Sequence, residues 1–115
     1  MLEIDYVSFS NAPAMIVRGR YDISSITVFE DSFKELLERA GTAVGVNLKD
    51  LTYIDSSGIG SLIRCFNLAR KRGITCYFYD INSDIMTVFQ LSRLDSYLKV
   101  VTNEEFELRF SDSSI

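Results

Sequence analysis

Apolar and polar residues alternate from Leu2 to Phe9 in the manner of a strand with one covered face, and Ser10-Asn11-Ala12-Pro13 supplies turn residues before a second apolar run, Ala14 to Val17. The two runs predict an N-terminal hairpin. After Gly19 the period lengthens to that of a helix. Ile26, Phe29, Phe33, Leu36, Leu37 and Ala40 share one stripe, Glu30, Asp31, Lys34, Glu35 and Glu38 lie off it, and Gly41 is placed to end the helix. The run Ala43-Val44-Gly45-Val46-Asn47-Leu48 is short, rich in valine and apolar on both parities, as a central strand covered on both faces requires.

Downstream, Ile59, Leu62, Ile63, Phe66 and Ala69 repeat at helical spacing until Arg70-Lys71-Arg72-Gly73, basic residues and a glycine that suit a helix C-terminus. Ile74 to Tyr79 reads as another buried strand, Asp84 to Leu91 as a helix, and Tyr97 to Val101 as a short final strand. Thr102-Asn103-Glu104-Glu105 fits a capping box that opens a last helix ending near Phe110. Ser111 to Ile115 is a polar tail with little to bury, expected to be frayed and flexible. An initial hairpin followed by alternating strands and helices predicts an α/β fold: one domain over residues 1–110, with helices packed on a mixed central sheet.

Composition narrows what such a domain does. The chain has 115 residues, 47% of them apolar and 12% aromatic, enough for one continuous core. A net charge of −4 gives no general attraction to nucleic acid or anionic lipid. No apolar run approaches the roughly eighteen residues of a membrane span, and Met1-Leu2-Glu3-Ile4-Asp5 has no basic segment leading a long apolar one, so a cytoplasmic location without membrane insertion is expected. The sole cysteines, Cys65 and Cys76, read as packing residues, and histidine is absent. Neither a metal site, nor a cofactor, nor a histidine-based triad is expected, so the chain is read as non-enzymatic; a hydrolase with Ser56 or Ser57 as nucleophile and an aspartate or lysine helper would have neither a histidine nor a defined oxyanion hole. Phe29, Phe33, Phe66, Phe78 and Phe89 recur at core spacing. Arg64, Arg70, Lys71 and Arg72 form the basic concentration of the chain, either a docking patch or a solvated face that suits a helix C-terminus.

One segment stands apart. Asp55-Ser56-Ser57-Gly58 follows the central strand and opens an amphipathic helix, a place where α/β folds gather their binding sites. Asp and Ser at a helix start also serve as plain caps, and Asp31-Ser32, Asp95-Ser96 and Asp112-Ser113-Ser114 show that the pair by itself carries little. A phosphate there would sit at a helix N-terminus, where free amides favour an anion, and would repel an acidic or apolar docking face. Capping alone and a phosphorylation switch both remain open on these residues.

From Val17 to about Phe106 the chain resembles a STAS domain of the anti-sigma-factor antagonist family. The resemblance is carried by Gly19-Arg20-Tyr21-Asp22, the apolar strand Val44 to Leu48, the phrase Leu51-Thr52-Tyr53-Ile54-Asp55-Ser56-Ser57-Gly58-Ile59-Gly60, and the Gly73 stop before an apolar strand. It implies a bacterial signalling protein that binds an anti-sigma factor, itself a serine kinase, and so releases a sigma factor for transcription. The kinase would phosphorylate Ser56 and break the complex until a serine phosphatase restores it. Asp22, Asp55, Ser56, Ser57 and Gly58 would form the partner-binding site, with Ser57 a neighbouring cap or contact, Gly58 allowing close approach of the phosphate donor, and Asp22 beside the motif at the same sheet edge. Asn47-Leu48-Lys49 stands where many members carry Asp-Leu-Ser, implying an altered side-chain interaction. Tyr21 replaces a small or aliphatic residue, implying an altered partner surface. STAS-like domains also serve as scaffold subunits of transport or signalling assemblies; in that reading the serine is only a cap.

Overall fold

The computed structural model describes residues 1–110; the tail expected over Ser111 to Ile115 lies outside them. Strand β1 (Leu2–Phe9) turns through Ser10 and Asn11 into β2 (Ala12–Tyr21), and the two pair antiparallel from Leu2 with Gly19 to Phe9 with Ala12. The turn is tighter than the four residues expected, and Pro13 enters the strand. Proline is tolerated there because β2 meets its second neighbour only from Ala14 onward, leaving Pro13 at an open edge. A short 3-10 turn (Ile23–Ser25) then leads into α1 (Ile26–Glu38), whose buried stripe is Phe29, Phe33, Leu36 and Leu37.

Two strands follow where the periodicity predicts one, β3 (Ala43–Asn47) and β4 (Leu51–Ile54). Both run parallel to β2: Ala14 to Ile16 pair with Gly45 to Asn47, and Gly19 to Tyr21 pair with residues from Leu51 to Ile54. They are halves of one strand path broken at Leu48-Lys49-Asp50. The Asn47 side-chain oxygen accepts the Lys49 amide at 2.9 Å and turns the chain outward. The Asn82 amide donates to the Lys49 and Leu51 carbonyls at 3.0 and 2.8 Å and holds the break closed.

Helix α2 (Ser56–Lys71) carries Leu62, Cys65, Phe66 and Ala69 into the core. It ends in a double bond, Gly73 N–H to the Arg70 carbonyl at 3.1 Å and Ile74 N–H to the Ala69 carbonyl at 2.9 Å, which requires the left-handed Gly73 at φ 73°. Gly41, expected to play the same part for α1, does not adopt that conformation; the helix closes with Arg39 N–H donating to the Leu36 carbonyl and Ala40 N–H to the Leu37 carbonyl, both at 3.1 Å. Strand β5 (Thr75–Tyr79) leads to α3 (Ser83–Leu91), a one-turn helix α4 (Leu94–Tyr97), β6 (Lys99–Val101) and α5 (Asn103–Phe110). The last strand thus starts at Lys99, since Leu98 N–H closes a helical turn on the Leu94 carbonyl at 2.8 Å and takes Tyr97 out of it.

The sheet order is β1-β2-β3-β5-β6, with β4 alongside β2, so the expected central strand is central. Its two faces divide by parity. Met15, Val17, Val44, Val46, Cys76 and Phe78 pack with α1, α2 and α3 in one cluster, while Ala12, Ala14, Ala43, Tyr77 and Tyr79 pack with Phe106 and Phe110 of α5 in another. Burial on both sides is why β3 and β5 show no alternation. The capping box of α5 is formed: Glu105 N–H donates to the Thr102 hydroxyl oxygen at 3.0 Å and Thr102 N–H to the Glu105 carboxylate at 2.8 Å. No helix among the described residues is long and apolar enough to cross a membrane.

Candidate functional site

The parallel pairing of β2 with β4 sets Arg20 against Tyr53 and Tyr21 against Ile54, so the chain leaves both strands at the same sheet edge. The next residue of each strand is an aspartate, and each aspartate caps the helix that follows. Asp55 accepts the Gly58 amide on Oδ1 at 3.0 Å, and its backbone carbonyl takes the Ile59 amide at 2.9 Å. Asp22 accepts the Ser24 amide at 3.1 Å and the Ser24 hydroxyl at 2.6 Å. The Ser24 hydroxyl bond first, with Ser25 and the Arg20 guanidinium in support, holds the Asp22 carboxyl below its ordinary range, so this group stays ionised. The structure thus brings Asp22 next to the Asp55 motif; a single backbone bond, Asp55 N–H to the Tyr21 carbonyl at 3.4 Å, links the two segments.

The four motif residues have different environments. Ser56, the first residue of α2, is exposed, and Ser57 is half-buried. Among the described residues no side chain hydrogen-bonds to either hydroxyl, and the two backbone amides likewise have no protein partner, as the first turn of a helix dictates. Gly58 is buried. A Cβ there would lie 2.6 Å from the Tyr21 carbonyl oxygen and 2.8 Å from Ile54 Cγ1, so the glycine lets α2 approach the sheet. Its open side faces the sheet, which corrects the expectation that it opens the motif to a partner's phosphate donor.

Both expected departures from the family pattern are resolved in the structure. Tyr21 is fully buried, its ring stacked on Phe29 at 4.4 Å, so it is core and adds nothing to an exposed surface. Asn47 retains side-chain interactions: besides accepting the Lys49 amide, it donates to Asp80 Oδ2 at 3.3 Å. Arg64 is paired with Glu30 at 3.0 Å, while Arg70, Lys71 and Arg72 gather at the C-terminus of α2, which fits the helix-end reading of the basic run.

Sequence reasoning missed the apolar rim of the site. Ile23 is 76% exposed and Tyr53 38%, and the Arg20 guanidinium lies 4.0 Å over the Tyr53 ring. Both aromatic and arginine lie in the recognised phrases, but only the β2–β4 register brings them together. Among the described residues no three His, Cys, Asp or Glu side chains converge as a metal site. Chemically, the edge offers two hydroxyls and two amides without a protein partner among the described residues, and two carboxylates beside exposed apolar groups.

The STAS domain family model matches residues 5–107 of this chain. The chain is 22% identical over 104 residues to the anti-sigma-B factor antagonist of Bacillus subtilis, covering 90% of this chain and 94% of the relative. Its fold is similar to that of an anti-sigma factor antagonist from Mycobacterium paratuberculosis, with a TM-score of 0.80 at 13% identity over 95% of this chain and 92% of the other. It is also similar to SpoIIAA, solved unphosphorylated with a TM-score of 0.71 and, as the Bacillus cell fate determinant, phosphorylated with 0.65. Identity is 19% in both, over 95% of this chain and 95% and 98% of those chains.

Proposed function

From a chain that belongs to the STAS domain family, we propose an anti-sigma factor antagonist: a non-enzymatic module that, unphosphorylated, binds an anti-sigma factor with serine-kinase activity, and is turned off when that kinase phosphorylates Ser56. Capture of the anti-sigma factor frees its sigma factor for transcription, and a serine phosphatase returns the module to its binding state. The observation that carries this reading is the exposed Ser56 hydroxyl at the first position of α2, set beside the caps Asp22 and Asp55. The half-buried Ser57 is the weaker acceptor.

A phosphoserine carries about −1.5 to −2 charges, which the free amides and dipole of a helix start tolerate. The fold is therefore kept. The same charge would be added to an edge that already carries the Asp22 and Asp55 carboxylates, the first held firmly ionised, and the exposed apolar Ile23 and Tyr53. A partner seated on that edge would have to desolvate the dianion, so binding is lost without any rearrangement of the domain. The docking surface comprises Asp22, Asp55, Ser56 and Ser57, with Gly58 supporting them from beneath.

The test is incubation with ATP and the anti-sigma factor kinases of the source organism, followed by mass-spectrometric mapping. Phosphate should appear on Ser56, be absent from Ser56→Ala, and persist in Ser57→Ala. Incorporation confined to another serine would contradict the assignment.

A further inference from the structure

Tyr21 brings a hydroxyl into the core, and a buried hydroxyl needs a partner. It donates to the Ser61 hydroxyl oxygen of α2 at 2.5 Å, and Ser61, itself fully buried, donates to Glu30 Oε2 of α1 at 2.7 Å. The same Glu30 oxygen accepts from Arg64 Nη2 at 3.0 Å and Nε at 3.3 Å. Every proton in this chain points toward one carboxylate, so each bond polarises the next. The chain begins in the core and ends at the surface, where the Arg64 and Glu30 side chains are 60% and 25% exposed. Burial pushes the Glu30 carboxyl up, but the Ser61 and Arg64 bonds outweigh it and hold the group ionised; burial raises the Tyr21 phenol far above its ordinary value, keeping it a donor.

The residue at the buried end also carries the motif. The Tyr21 backbone carbonyl receives the Asp55 amide at 3.4 Å and forms the floor against which Gly58 is packed. That backbone bond is long, and alone it would hold the first turn of α2 weakly. The Tyr21 side chain supplies a second attachment one turn further along the same helix, at Ser61. Phe29 stacked on its ring keeps the phenol aimed at that serine. Glu30 then ties the junction to α1, and Arg64 reaches it by lying along Gly60, where a Cβ would be 3.6 Å from Nη1.

We propose that the chain Tyr21–Ser61–Glu30–Arg64 is the positioning device for the Ser56 turn, so that an acceptor oxygen on α1, reached through buried hydroxyls, sets how rigidly the acceptor serine is presented to its partner. This rests on the reading of that turn as the acceptor and docking site. None of the four residues need touch the partner; they act through Asp55 and Gly58.

Amide hydrogen exchange on the full chain tests it. Glu30→Ala should speed exchange at Gly58 and Ile59, whose amides bond to Asp55, by about tenfold, while Val46 and Phe78 in the sheet change by less than about threefold. Glu30→Gln keeps an acceptor for Ser61 and should return Gly58 and Ile59 to within about threefold of the native rates. Tyr21→Phe keeps the stacked ring and removes only the hydroxyl, so it should show the same selective loosening if Glu30→Ala folds poorly. Parallel acceleration of all four amides would mark the chain as general core stability, and unchanged Gly58 and Ile59 in Glu30→Ala and Tyr21→Phe would mark it as inert; either result overturns the proposal. No kinase enters the measurement, so failure of the Ser56 assignment would leave this result standing, and failure here would leave that assignment untouched.

Discussion

At the scale of single residues, two glycines a half-turn apart in α2 separate packing from propensity. Gly58 faces the Tyr21 carbonyl and Ile54, so Gly58→Ala must push the helix off the sheet and is expected to lower the unfolding free energy by about 1–3 kcal/mol, read from the urea midpoint. Gly60 meets only the tip of Arg64 at an ordinary contact distance, so Gly60→Ala should be neutral or raise stability by about 0.5–1 kcal/mol. Removing the cap through Asp55→Ala should cost about 1 kcal/mol in the same measurement, because it frees the Gly58 amide. Asp55 was legible as a cap from sequence, since aspartate before a helical stripe says so. Tyr21 was not: nothing local tells an aromatic aimed at a buried serine on a distant helix from one on a docking surface, and the contact spans 40 residues.

At the scale of elements, the strongly periodic segments were legible and the broken strand was not. Phe29, Phe33, Leu36 and Leu37 predicted the buried face of α1, and Thr102 with Glu105 predicted the start of α5, because each signal is complete within one element. Strand β4 has only its end residues Leu51 and Ile54 buried, with Thr52 and Tyr53 turned outward, so it shows neither alternation nor an apolar run. Missing it hid the β2–β4 register, and with it the Arg20–Tyr53 pair at the rim of the candidate site. The capped α5 covers the second sheet face mainly through Phe106, stacked on Tyr79 at 4.0 Å. Phe106→Ala is therefore expected to cost about 3–5 kcal/mol by denaturant unfolding, far more than a solvent-facing helix would account for.

At the scale of the whole molecule, charge and burial set the pH range of the fold. Asp22, Glu30 and Glu105 have folded pKa values below their ordinary ones, so their contribution is present above the unfolded carboxylate range and is lost as pH falls through the depressed folded values. The thermal unfolding temperature should accordingly fall below about pH 4.5. On the alkaline side burial pushes the Cys65 thiol up to about 12, so the folded chain resists its ionisation and loses that stability as pH climbs from the ordinary thiol value toward the raised one. Cys65 and Cys76, both buried, should react with an alkylating reagent at neutral pH only as fast as the domain opens. In the proposed switch the edge would need no motion to change its affinity, because a phosphate on Ser56 would alter charge where a partner would dock. The most direct measurement is calorimetric titration of the anti-sigma factor kinase with the unmodified protein and with protein carrying phosphoserine at position 56. Affinity should fall by about a hundredfold or more on phosphorylation, with the circular dichroism of the domain unchanged. Equal affinity of the two forms would contradict the switch.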